Sequence, residues 1–215
     1  MMRSRFDKQL ILLNQKLIKM GAMCEEVIAL AAKALIEGSP ALAAKVAPLD
    51  GEIDQIERDI ESLCLKLLLQ QQPVARDLRQ ISAALKMITD MERIGDQAED
   101  IAEIISFMNG RSSKECACIG EMARATIKMV TESVDAFVRK DTALAEQVIL
   151  HDDIVDDFFE QTKTALIRWI AGKPEDGEYA LDLLMIAKYF ERIGDHATNI
   201  AEWVVFSVSG IHNPA

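Results

Sequence analysis

The chain is 215 residues long, half of it apolar, with a formal net charge of −11. Such a length and apolar share suit one large domain or two small ones with proper cores, and exclude a disordered regulator. The acidic balance argues against nucleic acid, whose phosphates require a basic stripe, and favours cations, a basic protein partner or simple solubility.

Glycine (10) and proline (5) are scarce, while leucine, alanine, methionine and glutamate are plentiful, a helix-forming composition. Met1 to Gly21 mixes Arg3, Arg5, Lys8, Lys16 and Lys19 with apolar residues, so the N-terminus does not read as a signal peptide. Phe6, Leu10, Leu13, Leu17, Met20, Cys24, Val27, Ala31 and Ala34 recur at alternating spacings of four and three. That rhythm predicts a long helix along a bundle seam, ending at Gly38-Ser39-Pro40. A second helix runs to about Gln71 on the stripe Leu49, Ile53, Ile56, Ile60, Leu63 and Leu67. Gln72-Pro73 turns the chain, and a third helix follows from about Val74 to Met108.

Asn109-Gly110-Arg111-Ser112-Ser113 is small and polar, and divides the chain into units spanning 1–109 and 113–215. The pattern then begins again. Helices are expected from about Ser113 to Arg139 and from Thr142 to Ala171, with a turn at Gly172-Lys173-Pro174. The final helix carries Leu183, Ile186, Phe190, Ile193, Ala197, Ile200 and Val204 on one face. The expected fold is all-α: two tandem antiparallel three-helix bundles, six long helices in all. Neither Val27–Ile36, broken by Lys33, nor Trp203–Val208 approaches the roughly 20 residues of a membrane span, which points to the cytoplasm. Cys24, Cys64, Cys116 and Cys118 lack the spacing of a disulfide framework and read as reduced thiols.

The two halves share more than helix length. The twelve residues from Glu92 to Glu103 match those from Glu191 to Glu202 at nine positions, at an offset of 99 (191 − 92). Upstream, Asp50-x-x-Ile53-Asp54 answers Asp152-x-x-Val155-Asp156 at an offset of 102 (152 − 50). Residues four apart share a helix face, so Asp50 pairs with Asp54 and Glu92 with Asp96. Counting outward from each turn, at about 1.5 Å per residue, brings the paired acids level within about a turn in both units. The second set is Asp152, Asp156, Glu191 and Asp195.

Four carboxylates brought together repel, and a multivalent cation relieves the repulsion. All-oxygen donors suit magnesium, manganese, calcium or iron better than soft metals. Gly95 and Gly194 interrupt the helix interior at about 1 kcal/mol each relative to alanine, which suggests close helix approach. The bland account of any one pair is a solvated helix face, with Arg93 or Arg192 neutralising the neighbouring acids. These acids also follow the apolar seam by one residue, so they should face outward. His196 corresponds to Gln97 in the repeat and His151 is equally isolated, so neither reads as a shared ligand. Arg76 and Arg79 form a small basic patch, read first as salt bridging to nearby acids and second as a contact for a partner.

At these residues the chain resembles the PhoU family, the accessory regulators of bacterial phosphate uptake. The likeness rests on the Gln-Pro-Val-Ala-Arg-Asp-Leu-Arg turn at 72–79, both Glu-Arg-Ile-Gly-Asp segments and the acid pairs at 50/54 and 152/156. It implies multinuclear metal clusters held by Asp50, Asp54, Glu92 and Asp96, and by Asp152, Asp156, Glu191 and Asp195. Iron is the first candidate, followed by magnesium, manganese or zinc. It also implies a non-enzymatic homodimer that restrains the phosphate-starvation response. The implied partners are the phosphate ABC transporter and the phosphate-sensing histidine kinase, met at the inner membrane without a membrane anchor of its own. Asp100 becomes Asn199 in the second unit, which should make the clusters unequal. Two alternatives stand beside this: a carboxylate-bridged di-metal enzyme and a metal-free helical scaffold. The first normally needs Glu-x-x-His motifs, and no histidine follows a glutamate by three residues here.

Overall fold

A computed structural model of the chain describes residues 2–71, 74–113 and 117–211. Those residues are almost entirely helical. In chain order the elements are α1 (Met2–Glu37), a short α2 (Pro40–Ala43), α3 (Val46–Gln71), α4 (Ala75–Phe107), α5 (Ala117–Arg139), α6 (Thr142–Gly172) and α7 (Gly177–Ser209). A single 3₁₀ turn, Pro174–Asp176, joins α6 to α7. The six long helices lie where the periodicity puts them. The one-turn α2 was not expected, and its cause is local: Ser39 accepts a hydrogen bond from the Leu42 backbone N–H at 3.3 Å, and Pro40 follows as the first helical residue.

The helix ends obey the same chemistry. Gly38 (φ 61), Asn109 (φ 54), Gly110 (φ 76) and Gly210 (φ 79) take left-handed backbone where helices stop. Asp141 caps α6, accepting from the Leu144 N–H at 3.0 Å. The expected turn at Gln72-Pro73 and the thiol Cys116 lie outside the described residues; Cys24 and Cys64 are free and buried.

Each half folds as foreseen, with α1, α3 and α4 packed together and α5, α6 and α7 likewise. The halves do not stand apart. The most extensive helix contact is α4 against α7, supported by α1 against α5, and one apolar core runs through both. The connecting stretch is equally anchored. Arg111 bonds Asp176 at 2.9 Å and stacks 3.6 Å above the Tyr179 ring, whose hydroxyl donates to the Ser112 carbonyl at 2.7 Å. Among the described residues no helix is long and apolar enough to cross a membrane.

Candidate metal centre

The inner edges of α3 and α4 bring the first acids together, and those of α6 and α7 bring the second. Asp50 is the exception to the outward-facing expectation. It is only 7% exposed, whereas Asp54, Glu92 and Asp96 are half-buried and Asp156 and Asp195 are exposed. One turn on α3 places Asp50 above the seam position Ile53, where the facing helix carries Gly95. A Cβ on residue 95 would overlap the Asp50 carboxylate, so the glycine admits the acid between the helices. Gly194 makes a looser version of this contact, with its Cβ position 3.2 Å from Oδ1 of Asp152.

The electrostatics follow from this crowding. Burial first, then Glu99, Asp96 and Asp54, push the Asp50 carboxyl up to about 7. Its Oδ1 is buried with no hydrogen-bond partner. In the second unit burial, then Asp195 and Asp156, push Asp152 up to about 6, while the Thr198 hydroxyl works the other way. Partial withdrawal from water, followed by Asp96, raises Glu92, and Arg93 opposes the rise. Withdrawal from water and then Glu191 raise Asp156 and Asp195, with Lys188 opposing both. These neighbour effects link Asp50, Asp54, Glu92 and Asp96 across α3 and α4, and Asp152, Asp156, Glu191 and Asp195 across α6 and α7.

Basic side chains lie across them. Arg93 donates to Oδ2 of Asp96 at 2.9 Å and approaches Glu92 at 3.5 Å, while Arg58 lies 3.6 Å from Asp54. In the second group Lys188 pairs with Glu191. The expectation for Arg93 holds. Arg192 acts elsewhere: it lies 5.9 Å from the Tyr189 ring centroid and offsets the charge of Asp100 rather than of the cluster acids. In this arrangement no three ligating side chains close into a cage among the described residues. The acids instead spread toward their basic neighbours, as repulsion dictates.

Two corrections concern the difference between the groups. Asp100 and Asn199 lie at the contact between the halves, where withdrawal from water and then Asp96 of the first cluster raise the Asp100 carboxyl. Asn199 donates to Oδ1 of Asp90 at 3.1 Å, and Nδ1 of His196 sits 2.9 Å from the same oxygen. Tyr189, the repeat counterpart of Asp90 (189 − 90 = 99), hydrogen-bonds Asp100, the counterpart of Asn199. The inequality lies one residue earlier. Glu99 joins the first cluster, and its counterpart Thr198 brings a hydroxyl to the second. Glu99 was missed in the sequence, although it lies three residues beyond Asp96 on the same helical face. A third correction is that Arg76 and Arg79 make no ion pair among the described residues, against the first reading of that patch.

With two repeated acid clusters on two three-helix units, comparison with known proteins becomes decisive. The PhoU domain family model matches residues 17–105 and again 119–204. The chain belongs to the PhoU family. The PhoU homolog of Pseudomonas aeruginosa, named a phosphate-specific transport system accessory protein, is 35% identical over 208 residues, covering 96% of this chain and 86% of the relative. The similarly named protein of Synechocystis sp. is 36% identical over 211 residues, covering 97% and 93%. The crystal structure of PhoU from Pseudomonas aeruginosa superposes with a TM-score of 0.90 at 34% identity, over 96% of this chain and all of that one. A Streptococcus pneumoniae PhoU structure, at 23% identity and TM-score 0.87, shares the fold. The two PhoU domain matches fall on the two units that the internal repeat defines.

Proposed function

We propose that this protein is a non-enzymatic accessory regulator of phosphate uptake, which restrains the phosphate regulon and the phosphate ABC transporter when phosphate is plentiful. The observation that carries this reading is full-length similarity to proteins named as phosphate transport accessory proteins. It acts in the cytoplasm as a homodimer, against the transporter and the phosphate-sensing histidine kinase, and reaches the inner membrane through them.

Metal is part of the proposal, and the donor set fits it. The buried, unpartnered Oδ1 of Asp50 and the space left by Gly95 favour a cation that satisfies several carboxylates at once. Asp50, Asp54, Glu92, Asp96 and Glu99 would hold the first cluster, and Asp152, Asp156, Glu191 and Asp195 the second. Hard oxygen donors favour iron, manganese or magnesium over zinc. A bound cluster supplies positive charge and open coordination positions on an otherwise acidic surface. Arg93, Arg58 and Lys188 balance the acids otherwise, and must release them as the cluster binds.

Deleting the gene tests the regulatory reading. A phosphate-regulated promoter should then stay active in phosphate-rich medium, and the intact gene should restore repression. Normal repression in a deletion strain with no second copy would overturn it.

A further inference from the structure

Away from both acid clusters, a cavity of about 400 Å³ opens where three helix ends meet. Arg76, Arg79 and Gln80 enter from the first turns of α4, Phe137 and Lys140 from the end of α5, and Val208 from the last turn of α7. The chain has 35 acidic residues against 24 basic ones, yet three cations and no acid line this space. None of the three has a carboxylate within ion-pair distance among the described residues. Of the acids close by in the chain, Asp135 pairs with Arg139 at 2.8 Å and Asp141 caps α6, while Asp77 beside Arg76 does not line the cavity.

The cations are held in place. Arg79 Nε is buried with no hydrogen-bond partner, a charged donor whose desolvation nothing offsets. Its guanidinium rests against Gly210, where an added Cβ would lie 3.4 Å from Nη1. Lys140 sits in left-handed backbone (φ 58) and donates to Oε1 of Gln80 at 3.3 Å. Gln80 is itself buried and donates to Asn14 at 3.4 Å, so a chain of hydrogen bonds fixes the lysine. The C-termini of α5 and α7 each add roughly half a negative charge, and the N-terminus of α4 roughly half a positive one. Three full cations outweigh that balance.

We infer that this cavity binds a phosphate-class oxyanion, with Arg76, Arg79 and Lys140 as its ligands. Guanidinium forks match tetrahedral oxyanions in a bidentate manner, and an ammonium adds a point charge. The volume exceeds that of a bare oxyanion, and Phe137 and Val208 give an apolar wall for an attached organic group. Inorganic phosphate and the phosphoryl group of a small metabolite share this chemistry. The inference is independent of the metal clusters.

Calorimetric titration of the full-length, metal-stripped protein in EDTA tests it, with orthophosphate in one arm and adenosine diphosphate in the other. Saturable binding of either is expected. It should weaken with added salt and fall by about tenfold or more in Arg76→Gln and in Arg79→Gln. The stronger arm identifies the source of the phosphate group. Arg76 is exposed, so its variant should fold even if that of Arg79 does not, as circular dichroism will report. No saturable binding in either arm, or binding unchanged in folded Arg76→Gln, would overturn the assignment.

Discussion

Oδ1 of Asp50 occupies the space that a side chain on residue 95 would need, so the first acid cluster exists because that residue is glycine. Gly95→Ala should therefore remain folded, since alanine regains about 1 kcal/mol of helix propensity and the displaced group is the tip of a side chain. It should nonetheless lose metal from the first cluster. Gly194→Ala meets Asp152 at 3.2 Å and should keep most of its metal. Metal content and urea midpoints of the two variants check both statements.

The metal-free protein should lose stability as pH rises. Asp50 is raised from 3.8 to about 7 in the folded state, so the folded form holds its proton more tightly than the unfolded form. The stabilisation is complete below the unfolded value and disappears as pH climbs through about 7. Asp152 adds a smaller contribution ending near pH 6. Urea unfolding in EDTA between pH 4.5 and 8 should show this fall, and Asp50→Asn should flatten its upper part. A stability curve that rises across that range would contradict the assignment of Asp50.

Much of this was legible in the sequence, for identifiable reasons. The seam from Phe6 to Ala34 gave α1, Gly38 and Gly110 marked breaks, and counting residues outward from the turns brought Asp50 level with Asp96. Glu99 escaped because the repeat comparison that exposed the other acids pairs it with Thr198, so it read as a mismatch. The contact of Asp90 with His196, 106 residues apart, has no local spacing to announce it. The place of Asp100 and Asn199 at the contact between the halves is hidden for the same reason. Burial of Asp50 was hidden too, because a helix face read alone does not show that glycine stands opposite.

The contact between the halves carries its own prediction. Asp90 accepts from both His196 and Asn199, so Asp90→Ala should destabilise the protein by about 1 kcal/mol, since water can reach the partners it leaves. A double-mutant cycle of Asp90→Ala with His196→Ala should give a coupling of about 0.5 kcal/mol or more. Tyr189→Phe removes only the hydroxyl bonded to Asp100 and should cost about 1 kcal/mol. Guanidinium or urea melts of these variants supply the numbers.

Glu99 distinguishes the two clusters. Glu99→Gln should weaken metal binding at the first site and leave the second unchanged, because Thr198 stands in its place there. Two-phase metal release during chelator titration should thus draw together toward a single phase in this variant, because Glu99 is what sets the first cluster apart. Identical release curves for the variant and the parent would remove Glu99 from the ligand set.

The most direct test of the central claim is the metal content of protein purified without chelators or an affinity tag, measured by inductively coupled plasma mass spectrometry. The parent should carry bound metal, and the double variant Glu92→Ala, Asp96→Ala should carry about half as much while keeping its helical spectrum, since the second cluster lies on other helices. Metal-free parent protein that takes up no iron, manganese or magnesium on reconstitution, or unchanged stoichiometry in a folded double variant, would contradict it.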